Sequence, residues 1–175
     1  NRMMMAISIL LPAFASWAEP AADERLATMF PGPVYVALQT AGRVQRLGGP
    51  EDRVTYADMP NAHYIAVADD GERILVSDIG NGRAYVVETA SGRKVGDIPV
   101  GEVAQGVKIS PDGRFGLAIG AGPGSLTMVD MASGKAVKQM TVGANPHNIR
   151  FTHDGGSAYV SLQGAGSIAL VDLEK

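Results

Sequence analysis

The chain has 175 residues, with 22 Gly, 10 Pro, no Cys and a formal net charge of −3. An apolar content of 46% supplies a core, and the slight acidity lacks the basic footprint of a nucleic-acid-binding domain, so no nucleic-acid partner is expected. Without cysteine, the chain holds no disulfide, no thiolate zinc site, no iron–sulfur cluster and no thioether-linked haem.

Residues 3–18 form an almost uninterrupted apolar run between Arg2 and Glu19-Pro20. The run falls short of the roughly 20 residues a membrane span needs, and Pro12 interrupts it. A basic start, an apolar middle and the small residues Ser16 and Ala18 read as a secretory signal peptide over 1–18, cut after Ala18. The expected location is the periplasm, with no stable membrane anchor.

Beyond the leader, the sequence repeats. Asp70-Gly71, Asp112-Gly113 and Asp154-Gly155 are spaced by 42 residues, and the frame holds around them. Gly80-Asn81-Gly82 aligns with Gly122-Pro123-Gly124 and Gly164-Ala165-Gly166. Ser91-Gly92 aligns with Ser133-Gly134, and Val100-Gly101 with Val142-Gly143. The units are 63–104, 105–146 and 147–175, the last one short. A degenerate copy over 34–62 precedes them, with 19–33 leading into it. That copy lacks the Asp-Gly turn and a clear inner strand, for which 23–30 is the nearest candidate.

Inside a unit every local signal is β. In the third copy, 107–110 alternates apolar and polar residues, and Asp112-Gly113 predicts a tight hairpin turn with positive φ angles. Strands are expected over 115–119, 125–130 and 136–142, broken by the Gly-Pro-Gly loop and the Ser133-Gly134 turn. Four short strands per 42 residues are the period and content of a β-propeller blade. The predicted fold is therefore all-β, with four-stranded antiparallel blades, about 3.7 of which fit after Ala18.

Ile109-Ser110-Pro111-Asp112-Gly113-Arg114, the Tyr159-Val160 strand and the junction Val142-Gly143-Ala144-Asn145-Pro146-His147 resemble the YVTN-type β-propeller repeat. The resemblance covers 34–175. It implies a ring of seven or eight blades, of which this chain is an N-terminal part, and a monomer when full length. It also implies that the loop from each fourth strand into the next first strand borders the ligand-binding face and the central channel.

The repeat register then makes Asn61, Val103 and Asn145 equivalent, and likewise His63, Gln105 and His147. Asn61, His63, Gln105, Asn145 and His147 are the candidate ligand-binding residues. Imidazole ligates iron or shuttles protons near neutral pH, so a tetrapyrrole of the d1-haem type, as in relatives of cytochrome cd1 nitrite reductase, is one cofactor the resemblance suggests. Alternatively, these residues satisfy backbone groups at the blade junction and recur because the repeat duplicated.

The expected role is an exported, noncatalytic binding or scaffold module for a small ligand or partner protein. Propeller lactonases have similar repeats, but the acidic and basic residues they would need on the channel form no convincing set here. The Gly-x-Gly loops lead into strands, not helix N-termini, so they are not phosphate fingerprints. Glu88, Asp130 and Asp172 recur once per unit beside turns and read as turn residues, leaving no catalytic or metal site to assign.

Overall fold

The computed structural model describes residues 5–8, 32–48, 53–56 and 58–174. Its strands form four sheets that follow the repeat. The second sheet contains β5 (Ala62–Val67), β6 (Arg73–Asp78), β7 (Arg83–Glu88) and β8 (Lys94–Pro99), in that spatial order. The third contains β9 (Ala104–Ile109), β10 (Phe115–Gly120), β11 (Ser125–Asp130) and β12 (Lys135–Thr141), again adjacent in sequence order. The fourth has β13 (Pro146–Phe151), β14 (Ser157–Leu162) and β15 (Ser167–Asp172). All pairings within these three sheets are antiparallel.

The first sheet departs from that plan. Strands β2 (Val34–Leu38), β3 (Arg43–Leu47) and β4 (Arg53–Tyr56) form an antiparallel meander. Beside β2, however, β1 (Met5–Ser8) runs parallel, with Met5 opposite Val34 and Ser8 opposite Ala37. The segment expected to be the middle of a leader thus takes the inner-strand place. The rest of the predicted leader and the alternative segment 23–30 lie outside the described residues.

Alternation explains why the sheets stack. Ile74 and Val76 of β6 point one way, into a core with Tyr35, Ala37, Val44 and Tyr56 of the first sheet. Leu75 points the other way, into a core with Val107, Ala118 and Val129 of the third. Leu117, Ile119 and Leu126 meet Ile149, Ala158 and Val160 of the fourth sheet in a further core. Strands covered on both faces read as nearly continuous apolar runs, and each fully buried side chain of this size contributes roughly 1.5–3 kcal/mol. Met128 and Met140 pack against the last of these cores.

The Asp-Gly turns differ from the expected two-residue hairpin. Only the glycines take positive φ, 74°, 72° and 75° at Gly71, Gly113 and Gly155. The amides of Ala68, Ser110 and Thr152 donate to the carbonyls of Arg73, Phe115 and Ser157, closing loops of four residues. The aspartates act through their side chains instead. Asp70, Asp112 and Asp154 each accept, on Oδ1, the amide two residues ahead, at 2.9–3.1 Å. The carboxylate stands in for a backbone acceptor, so Asp needs no left-handed backbone.

Candidate functional site

Three inner strands start in the same way. Ala62 pairs with Asp78, Ala104 with Gly120 and Pro146 with Leu162; pairing then resumes at Ile65–Val76, Val107–Ala118 and Ile149–Val160. Two residues on the inner strand thus oppose a single residue on its neighbour, which is a β-bulge. The bulged pairs are His63-Tyr64, Gln105-Gly106 and His147-Asn148. His63, Gln105 and His147 therefore lie in the strands, one residue past their starts, and not in the connecting loops. A bulge re-aims side chains locally, and it falls at the same repeat position in all three sheets.

Side chains stabilise two of the bulges. The amides of Tyr64 and Asn148 donate to Ser77 Oγ and Ser161 Oγ, each at 3.0 Å. In the third sheet the corresponding residue is Ile119, which has no hydroxyl, and the bulge carries Gly106.

Gly106 shapes the site. A Cβ there would stand 2.7 Å from the His147 carbonyl oxygen and 3.2 Å from Asn148 Cα, so the inner strands of the third and fourth sheets approach each other closely. Beside this close approach, a ring from the second sheet meets one from the fourth. Tyr64 and His147 stand edge to face with centroids 6.2 Å apart at 89°. Tyr64 also meets its neighbour His63 edge-on, with centroids 4.6 Å apart at 83°. One phenol ring thus contacts both candidate imidazoles.

The electrostatics of the row are governed first by burial. Burial, followed by the nearby His147, lowers the His63 pKa from its ordinary value of 6.5, so its imidazole is neutral at physiological pH. Gln105 Oε1 is buried without a hydrogen-bond partner. Such an acceptor calls for a donor, from a ligand or water. The row offers imidazole lone pairs, ring faces and edges, and an amide acceptor, but no carboxylate. Among the described residues, no group of three or more His, Asp or Glu converges on a possible metal position.

Asn61 and Asn145 occupy the junction just before the row. The Asn61, Val103 and Asn145 carbonyls accept the amides of Ile79, Ala121 and Gln163, at 3.1, 2.8 and 3.0 Å. This backbone role is independent of side-chain type. Asn145 adopts φ 49°, a left-handed backbone that Asn tolerates better than most residues. The Asn61 side chain packs against Gly80, where a Cβ would come within 2.4 Å of its Nδ2. The histidine–glutamine row is thus brought together as an array, while both asparagines are occupied in shaping its border. Tyr64 and Gly106 were not singled out from sequence, although the residue after each of His63, Gln105 and His147 was available to the same register comparison.

No protein-family model matches the chain, and no curated protein matches it in sequence. Solved structures do match. Hydrazine synthase from Kuenenia stuttgartiensis superposes with a TM-score of 0.72 and 20% identity over 80% of this chain and 42% of that one. Two proteins provisionally assigned as 6-phosphogluconolactonases also match. The one from Bacteroides uniformis gives a TM-score of 0.66 at 14% identity, over 79% of this chain and 46% of that chain. The one from Bacteroides fragilis gives 0.62 at 14%, over 75% and 44%. The chain spans less than half the length of these structures, and the likeness is one of β-propeller fold.

Proposed function

We propose that the chain is the binding part of an exported β-propeller protein, and that its bulged inner-strand row takes a ligand with a flat ring. The observation that carries this reading is the array around Tyr64. His63 and His147, from sheets that are not neighbours, both contact one aromatic ring, and the buried Gln105 Oε1 in the same row lacks a donor. Edge-to-face rings favour a planar guest, and an unpaired amide oxygen favours a guest with an N–H or O–H group.

Calorimetric titration with metal-free protoporphyrin IX tests this proposal. Binding that is lost in a His63→Ala/His147→Ala variant of unchanged melting temperature is the expected outcome. Binding unaffected by that double substitution would contradict it.

A tetrapyrrole carrying iron is the more specific form of the proposal, favoured by the lowered pKa of His63. A neutral imidazole presents the lone pair that axial ligation of haem iron uses. Haemin added to the protein should shift its Soret band, and the double histidine variant should abolish the shift. Lactone hydrolysis is a further reading drawn from the two Bacteroides structures, and a direct assay with a lactone substrate decides it.

A further inference from the structure

Asn81 is the only asparagine in the chain that precedes a glycine. Gly82 has no Cβ to keep its amide nitrogen from the Asn81 side chain, so this is the place where an asparagine closes most readily on its own backbone. The two residues end the turn over 79–82 that joins β6 to β7, and Asn81 is exposed.

Inside the turn, Asn81 reaches back to Asp78, a fully buried carboxylate at the end of β6. The Asn81 backbone amide donates to Asp78 Oδ1 at 3.1 Å, and its Nδ2 donates to Oδ2 at 3.0 Å. The Tyr85 hydroxyl donates to Oδ2 as well, at 3.2 Å. Arg83, opposite Asp78 across the ladder, forms its ion pair with Asp97 instead. Asn81 thus brings a backbone and a side-chain N–H to a carboxylate that burial makes dependent on donors.

The pair is peculiar to this unit. The repeat places Gly120 and Leu162 where Asp78 stands, and Pro123 and Ala165 where Asn81 stands. Duplication of the repeat therefore does not account for it.

The turn is tied to the border of the ligand row. The Ile79 amide donates to the Asn61 carbonyl at 3.1 Å, Gly80 lies against the Asn61 side chain, and Asp78 pairs with Ala62, the residue before His63. At its other end the turn has no spare room, since a Cβ on Gly82 would lie 1.6 Å from the Gly101 carbonyl oxygen.

We propose that Asn81 is a site of spontaneous deamidation that Asp78 restrains, and that its conversion releases the turn bordering the row. The Gly82 amide nitrogen attacks Asn81 Cγ and gives up its proton, the Cγ–Nδ2 bond breaks, and ammonia leaves. Water then opens the succinimide to aspartate or isoaspartate. Asp78 slows the first step by holding Nδ2 back toward β6, away from the Gly82 nitrogen. Neither product restores what is lost. Aspartate sets a second carboxylate against Asp78 where a donor stood, and isoaspartate lengthens the backbone beside the Gly101 carbonyl, where packing is already tight. The proposal is independent of the ligand that the row takes.

Peptide mapping by mass spectrometry tests it, following conversion of Asn81 in the full chain, folded in mildly alkaline buffer and unfolded in urea. The folded protein is expected to convert at least about 10-fold more slowly. Asp78→Asn, which keeps the shape but removes an acceptor, should speed conversion in the folded state. Tyr85→Phe, which leaves both Asn81 bonds in place, should not. Asn81→Asp reproduces one product. It should lower the melting temperature by about 4 °C or more and move the His63 imidazole resonance, with a smaller loss in the Asp78→Asn background. Equal rates in folded and unfolded protein, a rate unchanged by Asp78→Asn or raised as much by Tyr85→Phe, or a melting temperature untouched by Asn81→Asp would each overturn the proposal.

Discussion

Tyr64 and His147 meet edge to face, 6.2 Å between centroids, although a whole sheet separates the strands that carry them. On the inner strand between them, Gly106 lets the backbone of His147 and Asn148 approach closely. Gly106→Ala therefore forces the His147 carbonyl away from a Cβ at 2.7 Å. The expected cost is about 1–3 kcal/mol, as for overpacking elsewhere, together with a moved His147 ring resonance. Urea unfolding and imidazole NMR measure the two effects. A neutral substitution with unchanged His147 shifts would contradict the role given to Gly106.

His63 titrates below its ordinary value of 6.5 because burial, and then His147, disfavour its charged form. The unfolded chain takes up this proton first as pH falls, so the stability contributed by neutral His63 is complete above pH 6.5 and is lost below it. Thermal melts from pH 7 downward should show the decline, and His63→Gln should flatten it. Removing the charge of His147 should raise the His63 pKa only partly, because burial is the larger cause.

Tyr56 joins the first two sheets. Its hydroxyl donates to the Thr89 carbonyl at 2.8 Å, and burial, helped by Tyr35, pushes its pKa up to about 12. Tyr85, buried beside Asp78, is likewise pushed up to about 12. Unfolded tyrosines ionise near 10, so stability is full below pH 10 and falls as pH rises from there toward 12. Tyr56→Phe should cost about 1 kcal/mol at neutral pH and shallow the alkaline slope, read from melts and tyrosinate absorbance.

The left-handed glycines separate local strain from crowding. Gly166→Ala meets only the conformational penalty of a positive φ, on the order of 1 kcal/mol. Gly82→Ala adds a collision with the Gly101 carbonyl and should cost several times more. Comparable losses in the two variants would contradict the close approach of Gly82 to the chain leaving β8.

The segment Met5–Ser8 has two incompatible fates. Cleavage after Ala18 removes it, whereas the structure sets it parallel to Val34–Leu38. N-terminal sequencing of protein recovered from the periplasm should read Glu19, leaving the first sheet with β2, β3 and β4. Recovery of a chain that still carries Met5 would contradict the proposed cleavage.

The sheets were legible because each unit repeats its turn residues at fixed spacing, and Gly, Asp and Ser act there through local chemistry. The order of strands and the equivalence of His63, Gln105 and His147 followed directly. What the spacing did not reveal was the bulge. It moves these residues from loop to strand, and it arises from a pairing mismatch with Ser77, Ile119 and Ser161 that sequence alone does not display. The Tyr64–His147 meeting was hidden for the same reason, since it depends on how closely the strands flanking Gly106 approach. Asp112 shows the reverse case, where the turn was visible but its mechanism, an Asp carboxylate accepting the Arg114 amide, was not.

The central claim is that the bulged row is where a flat ligand sits. Side-chain NMR of the full chain with protoporphyrin IX added tests it most directly. The account predicts the largest shifts at the imidazoles of His63 and His147, the ring of Tyr64 and the side-chain amide of Gln105. Shifts clustered elsewhere, or none at saturating probe, would contradict it.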